Sequence, residues 1–431
     1  MDSTANPGTA NLDLAKVSSR EISSVGLSIH RFLPLAAFYF FFNAAGLPTG
    51  LFYTTLLSPF LYIWLYLKGQ RRLTTKFLLL FSPFLVAHLI MGVTSPVYYL
   101  RSLLLLWSVY IAVFAFCWAL TKSNTVDRLF DQLILLNFFA SVLAIIAFPT
   151  PLRLVFWHDD AETIVGASHL LRLNLLSTEP SAYALLMLPL LMFASLRLLG
   201  KVNMRNCVYL LMIAVPFLLC QSFGGISMCI AGLGVSLMTG YRRLFKRANS
   251  IVILACSAIL VLLLFGTHNP ISERLLQVAS GGDSSSKSRT IFSFIAAYTV
   301  ASSKSLWWGA GLGQGKLIDF SSLGIGFEVN VIPNAVAGTF AELGLIGVLL
   351  RFAAEFYFFF RTKSYRSPFR LAMFVVAFIA QLTGSYLMNV QEYLLWFLAF
   401  YPIIPDLSFP GKFRSRSAIQ SNSGSQEIVS I

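Results

Sequence analysis

Lys68-Gly69-Gln70-Arg71-Arg72-Leu73-Thr74-Thr75-Lys76 stands between two apolar runs, 50–67 and 77–93, and puts four basic residues into one short gap. The next gap along the chain, 94–100, holds no charge at all. This alternation continues to the end of the sequence. It reads as the loop pattern of a membrane protein, because positive charge in short loops collects on the cytoplasmic side. The composition agrees: 57% of the 431 residues are hydrophobic, 12% are charged, and the mean hydropathy is +0.73. A soluble domain carries about 25% charged residues.

A spanning helix needs about 20 mostly apolar residues, since the backbone must satisfy its own hydrogen bonds in hydrocarbon. Twelve such segments are predicted, at 32–47, 50–67, 77–93, 101–120, 129–149, 181–199, 206–221, 224–240, 249–266, 335–358, 371–388 and 392–408. The fold class is therefore an all-α membrane protein, a polytopic bundle of about 12 transmembrane helices. Gln221-Ser222-Phe223-Gly224-Gly225 has the polar and glycine content of a hairpin and splits 206–240 into two helices. Residues 1–30 and 411–431 are expected as disordered cytoplasmic ends flanking the transmembrane domain 31–410. No cleavable signal peptide is expected, because residues 1–29 lack an apolar core.

With the amino terminus inside, alternate gaps hold 23 of the 32 lysines and arginines. Both termini are then cytoplasmic. The net charge of +14 is explained by topology and by anionic inner-leaflet lipid, without nucleic acid. Cys117, Cys207, Cys220, Cys229 and Cys256 fall in or beside apolar spans at no metal-ligand spacing and read as packing residues.

The polar chemistry gathers in two long outer loops, about 150–180 and 267–334. The first contains His158-Asp159-Asp160-Ala161-Glu162, which reads as sugar-binding or solvated acids, and then His169, Arg172 and Glu179-Pro180-Ser181. Proline suits the first turn of a helix, so Glu179 is predicted at the start of a span, either as a capping acid or as a site residue. The second loop contains His268, Ser288-Arg289-Thr290-Ile291, an amphipathic stretch near 290–303, and Trp307-Trp308-Gly309-Ala310-Gly311-Leu312-Gly313. Paired tryptophans suit the interfacial belt. These glycines lack a preceding strand and so form no dinucleotide fingerprint; they are expected to serve close backbone packing or approach to a ligand. Asn334 then opens a span that carries Glu342 and Arg351, nine residues apart, each expected to find partners on other helices.

Arginine before Glu179-Pro180-Ser181, Ser288-Arg289-Thr290-Ile291 in the large outer loop, the glycine stretch after aromatics, and Asn334 followed by Ala341-Glu342-Leu343-Gly344-Leu345-Ile346-Gly347 resemble the Wzy-type O-antigen polymerase and O-antigen ligase superfamily. The resemblance covers about residues 165–355. It implies a GT-C-like membrane glycosyltransferase that needs no metal and no cofactor. The donor would be a glycan on undecaprenyl diphosphate at the periplasmic face of the bacterial inner membrane, and the acceptor another lipid-linked repeat unit. A flippase and a chain-length regulator would be partners.

By motif, Arg172 and Arg289 match the family's diphosphate-binding arginines, and Arg101 joins them on topology alone. Asn334, Glu342 and Arg351 are supporting residues. Ligases of the superfamily place a histidine before the matching asparagine, and this chain has Pro333 there. That favours a polymerase over a ligase and leaves the catalytic base open among Glu179, His268 and His169. A transporter is the alternative class, and it would place ionisable groups and broken helices within several spans.

Overall fold

The computed structural model describes residues 53–123, 126–159, 171–177, 179–244, 287–318 and 332–401. The expected spans 32–47 and 249–266, and the candidates His169 and His268, lie outside these residues. So do Cys256 and most of the His158–Glu162 acidic run.

Twelve α-helices follow in order among the described residues: α1 Tyr53–Leu67, α2 Leu73–Met91, α3 Pro96–Ser123, α4 Val126–Ala147, the short α5 Arg153–Phe156, α6 Pro180–Gly200, α7 Met204–Leu219, α8 Phe223–Leu244, α9 Ser293–Ser302, α10 Ala335–Arg361, α11 Pro368–Thr383 and α12 Val390–Phe400. Five of them (α2, α3, α4, α6 and α10) are long and apolar enough to cross a membrane, and α1, α7, α8, α11 and α12 are shorter apolar helices. The chain is an all-α, multi-pass membrane protein. Its one departure from helix, among the described residues, is an antiparallel ladder in the first outer loop, β1 Trp157–Asp159 against β2 Leu171–Leu173. Three-residue strands carry no readable period, so a sequence pattern could not announce them.

The helix boundaries follow local chemistry. Proline occupies the first turn of α3, α6 and α11, where the missing N–H has no partner to lose. Asn203, Asn334 and Asn389 cap α7, α10 and α12 by accepting from the backbone N–H of Asn206, Ala337 and Gln391. The hairpin expected near Gln221 is present: α7 ends at Leu219, Gln221 takes a left-handed φ of 46°, and α8 begins at Phe223.

α6 is the centre of the bundle. Every residue from Tyr183 to Ala194 is buried, which only a helix apolar on all sides tolerates. It packs against α7, α8 and α11. The Phe130, Phe193 and Phe369 rings tie α4 and α11 to it, with centroids 5.1 and 6.2 Å from Phe130. The Tyr183 hydroxyl donates to Asn137 Oδ1 at 2.7 Å, a buried polar tie between α6 and α4. By contrast, α2 turns Leu79, Leu80, Leu89 and Ile90 outward, an exposed apolar surface suited to lipid.

The two ends of the bundle differ. α6 is about 30 Å long at 1.5 Å per residue, so Glu179 and Arg197 stand on opposite sides of a bilayer's thickness. At the Arg197 end, Asp131 binds Arg197 at 2.6 Å and Arg205 at 3.2 Å. Arg370 belongs to the same end, and its role differs from that of a solvated loop charge. It is buried and donates to the carbonyls of Ala399, Phe400 and Thr362, closing the last turns of α12 and α10.

Candidate functional site

The Glu179 end brings together three of the sequence motifs. Arg289 lies in a single π-turn, Ser288–Phe292, that leads into α9. Its Nη2 reaches Glu179 Oε2 at 3.4 Å and Ser181 Oγ at 3.5 Å. Ser181 Oγ itself donates to the same Glu179 oxygen at 2.8 Å. Glu179 sits at the N-cap position of α6 with extended backbone, and its carboxylate does not cap that helix. Its carboxylate bonds Ser181 and Arg289 instead, so the side-chain capping expected as one reading of Glu179-Pro180 is not what the structure shows.

Asn334 fixes the arginine from behind. While its Oδ1 caps α10, its Nδ2 donates to the backbone carbonyls of Arg289 at 3.0 Å and Leu382 at 2.6 Å. One buried amide therefore joins the π-turn, the start of α10 and the end of α11. Gly384 follows directly: a Cβ built there would stand 3.0 Å from Arg289 Nη1, so the absence of a side chain leaves the space the guanidinium lies in. Tyr386 completes the group. It keeps part of its surface exposed; partial desolvation and the nearby Glu179 raise its phenol's pKa and Arg289 offsets part of the rise, so the hydroxyl stays neutral through the physiological range.

The ion pair remains accessible. Arg289 and Glu179 side chains keep 29% and 48% of their surface exposed. Such a pair adds about 0–1 kcal/mol to stability. Its geometry therefore matters more for what can replace one partner than for holding the fold.

Arg172 is placed differently. It is buried on β2 opposite His158, and its Nε donates to the Cys220 carbonyl at 3.2 Å, at the α7–α8 hairpin. Arg101 lies exposed in the second turn of α3, at the same end of the bundle.

Glu342 and Arg351 separate into two settings because α10 is broken between them. Gly344 has φ 69° and ψ −168°, a conformation closed to other residues, and the helix turns sharply there. The glycine stretch fills the break. Ala310 N–H donates to Ala341 O, Gly311 N–H to Glu342 O, Leu345 N–H to Leu306 O and Ile346 N–H to Trp307 O, all within 2.9–3.2 Å. Gly309 lies so close to the Glu342 peptide that a side chain would collide with it. Close backbone packing, one of the two expectations for these glycines, is what these contacts show.

Four residues of this region gave no sequence signal. His88 Nε2 lies 2.8 Å from the Trp308 carbonyl and must donate to it, so Nδ1 accepts from the Tyr99 hydroxyl at 3.0 Å. Gln314 pairs both of its amide atoms with the backbone of Ser95. Glu392, on α12, accepts from Arg351. Each contact crosses more than 40 residues of sequence except His88–Tyr99, and lone polar residues in apolar helices do not reveal such partners. Trp307 is exposed, as an interfacial tryptophan should be, whereas Trp308 turns inward and packs edge-on against Phe84 at 5.8 Å.

The chain matches no family model and no characterised protein. Among the described residues, no three His, Cys, Asp or Glu side chains cluster in a way that could hold a metal ion.

Proposed function

We propose that this chain is a polysaccharide polymerase of the bacterial inner membrane, similar to the Wzy-type polymerase and ligase superfamily, working on glycans carried by undecaprenyl diphosphate. The observation that carries the proposal is the convergence at one end of the bundle of Glu179-Pro180-Ser181, Ser288-Arg289-Thr290 and Asn334. These segments are separated by more than 40 residues in sequence and meet through Arg289.

Arg289 is the diphosphate ligand in this reading. Its resting partner is a half-exposed carboxylate, and a diphosphate offers a planar guanidinium better paired acceptors. Binding of the donor takes Arg289 from Glu179 and leaves the carboxylate free to accept a proton. The acceptor's sugar hydroxyl attacks the anomeric carbon, the bond from that carbon to the diphosphate oxygen breaks, and the hydroxyl proton passes to Glu179. Undecaprenyl diphosphate departs with the bonding electrons, its charge held by Arg289, with Arg172 and Arg101 as further cations of this end. Removing one such charge-stabilising donor costs about 10²–10³ in rate, and removing a general base about 10²–10⁴.

The test is elongation of purified lipid-linked repeat units by protein reconstituted in liposomes. The wild type makes a ladder of polymer lengths, Arg289→Ala and Glu179→Gln fold normally and make none, and Arg289→Lys recovers part of the rate. Full-length polymer from Arg289→Ala would remove the proposed clamp.

A second reading, transport of a lipid-linked glycan, draws on the broken α10 and on the ionisable groups buried within spans around Arg351. Translocation of the substrate without any elongation would favour it.

A further inference from the structure

The break in α10 brings four polar side chains around Arg351, in the interior of the bundle. Nε donates to Glu355 Oε1 at 3.1 Å and to Gln381 Oε1 at 2.8 Å, Nη1 donates to Thr339 Oγ1 at 3.1 Å, and Nη2 binds Glu392 Oε1. Thr339 belongs to the half of α10 before Gly344 and Glu355 to the half after it, while Gln381 is on α11 and Glu392 on α12. A single guanidinium thus holds both halves of the broken helix to two neighbours.

The charges do not balance. Glu355 and Glu392 are both buried, the latter at 1% exposure, and they share one arginine. Among the described residues, the remaining facing groups supply no second cation. Gln381 Nε2 donates to Glu355 Oε2 at 3.0 Å and Trp396 Nε1 points at Glu392 Oε1 from 3.4 Å. Tyr393, on α12, donates its hydroxyl to the Leu387 carbonyl at 2.8 Å and brings no positive charge. Glu342, before the break, is a further carboxylate whose Oε2 has no partner among the described residues, so it supplies no positive charge either.

The pattern of satisfied oxygens shows where the excess sits. Glu355 has a donor on each oxygen, whereas Glu392 has donors only on Oε1; its Oε2 is buried with no partner. An ionised oxygen in that position has no donor among the described protein groups, a costly arrangement for a buried carboxylate. A carboxylic acid removes the net charge and turns the orphan acceptor into an O–H.

We infer that the Glu355–Arg351–Glu392 cluster is a proton-binding site that holds one proton at neutral pH, on Glu392 Oε2. Loss of that proton leaves two carboxylates competing for Arg351, the side chain that spans the break at Gly344, so the proton is placed to bias how the two halves of α10 sit. This site is distinct from the Arg289–Glu179 pair and stands whether or not that pair binds a diphosphate.

Infrared spectroscopy of the full-length protein in lipid nanodiscs tests the inference. The wild type at neutral pH should show a protonated-carboxyl band that shifts in heavy water and disappears in Glu392→Gln. In Glu355→Gln, where Glu392 no longer shares Arg351 with a second carboxylate, the same band should persist at neutral pH and disappear at a lower pH than in the wild type. Each single variant should keep the wild-type melting temperature within a few degrees, while Glu355→Gln/Glu392→Gln, which strands Arg351, should melt far lower. Absence of such a band difference would overturn the inference. So would a melting temperature that climbs with sodium at constant ionic strength, which would give the excess charge to a bound cation.

Discussion

Replacing Gly344 by alanine tests the break in α10, on which the placement of Glu342, Arg351 and the tryptophan loop depends. Two costs follow from the coordinates. Holding φ near 69° with ψ near −168° places a residue with a side chain in a region essentially reserved for glycine, worth about 1–3 kcal/mol of strain. The new methyl also meets the backbone of Trp307 and Gly309, which cannot rotate away, and forcing such a shift costs a further 1–3 kcal/mol or so. The sum is about 2–6 kcal/mol. If the loop instead detaches, the four backbone hydrogen bonds across the break are lost, at about 1 kcal/mol each, which falls in the same range. The control is Gly234→Ala on α8, where nothing lies within 4 Å of a new Cβ and a helical alanine gains about 1 kcal/mol over glycine. Unfolding of both variants in the same detergent by denaturant gives the comparison. Equal stability of the two proteins would refute a helix broken at Gly344.

Other substitutions probe separate parts of the account. Arg370→Ala should cost about 1–3 kcal/mol or more, since it uncovers the terminal carbonyls of α12 and α10 at once, and a thermal melt in detergent reads it directly. Tyr183→Phe should cost about 1–3 kcal/mol by leaving Asn137, whose Nδ2 is already unpartnered, with an unpaired Oδ1 against the central helix. Arg289→Ala should lose no more than about 1 kcal/mol of stability, because its ion pair is half exposed, while abolishing elongation; a melt beside the liposome assay separates the two effects. Gly384→Ala should push the guanidinium by a few tenths of an ångström and lower the elongation rate without changing the melt.

Much of the architecture is written in short-range chemistry. Basic gaps marked one end of each long helix, Gln221 and the glycines after it marked the α7–α8 hairpin, and Glu179-Pro180 marked the start of the central helix, expected at 181 and found at Pro180. Glu179, Arg289 and Asn334 were each singled out in the sequence, in three different roles, but nothing in their spacing announced that they would meet or that Asn334 would grip the Arg289 carbonyl. What could not be read has a common cause. Residues 335–358 form an unbroken apolar run, and glycine is ordinary in membrane helices, so Gly344 gave no sign of ending one helix and starting another. Arg351 and Glu342 consequently looked like members of one straight helix. The acceptors of Arg370 are backbone carbonyls, which every residue carries, so no sequence pattern marks its role. Glu392 stood alone in an apolar segment, and only the fold shows that it shares Arg351 with Glu355.

The proposed function requires Arg289 and Glu179 to lie outside the cytoplasm and the basic end of the bundle within it. Lys287 and Lys201 are exposed residues at those two ends, and each can be changed to cysteine without touching the site. A membrane-impermeant maleimide applied to spheroplasts should label Lys287→Cys and leave Lys201→Cys unreacted until the membrane is opened. Labelling of Lys201→Cys alone in sealed cells would put the arginines in the cytosol, out of reach of an exported lipid-linked glycan, and would contradict the proposed function at its foundation.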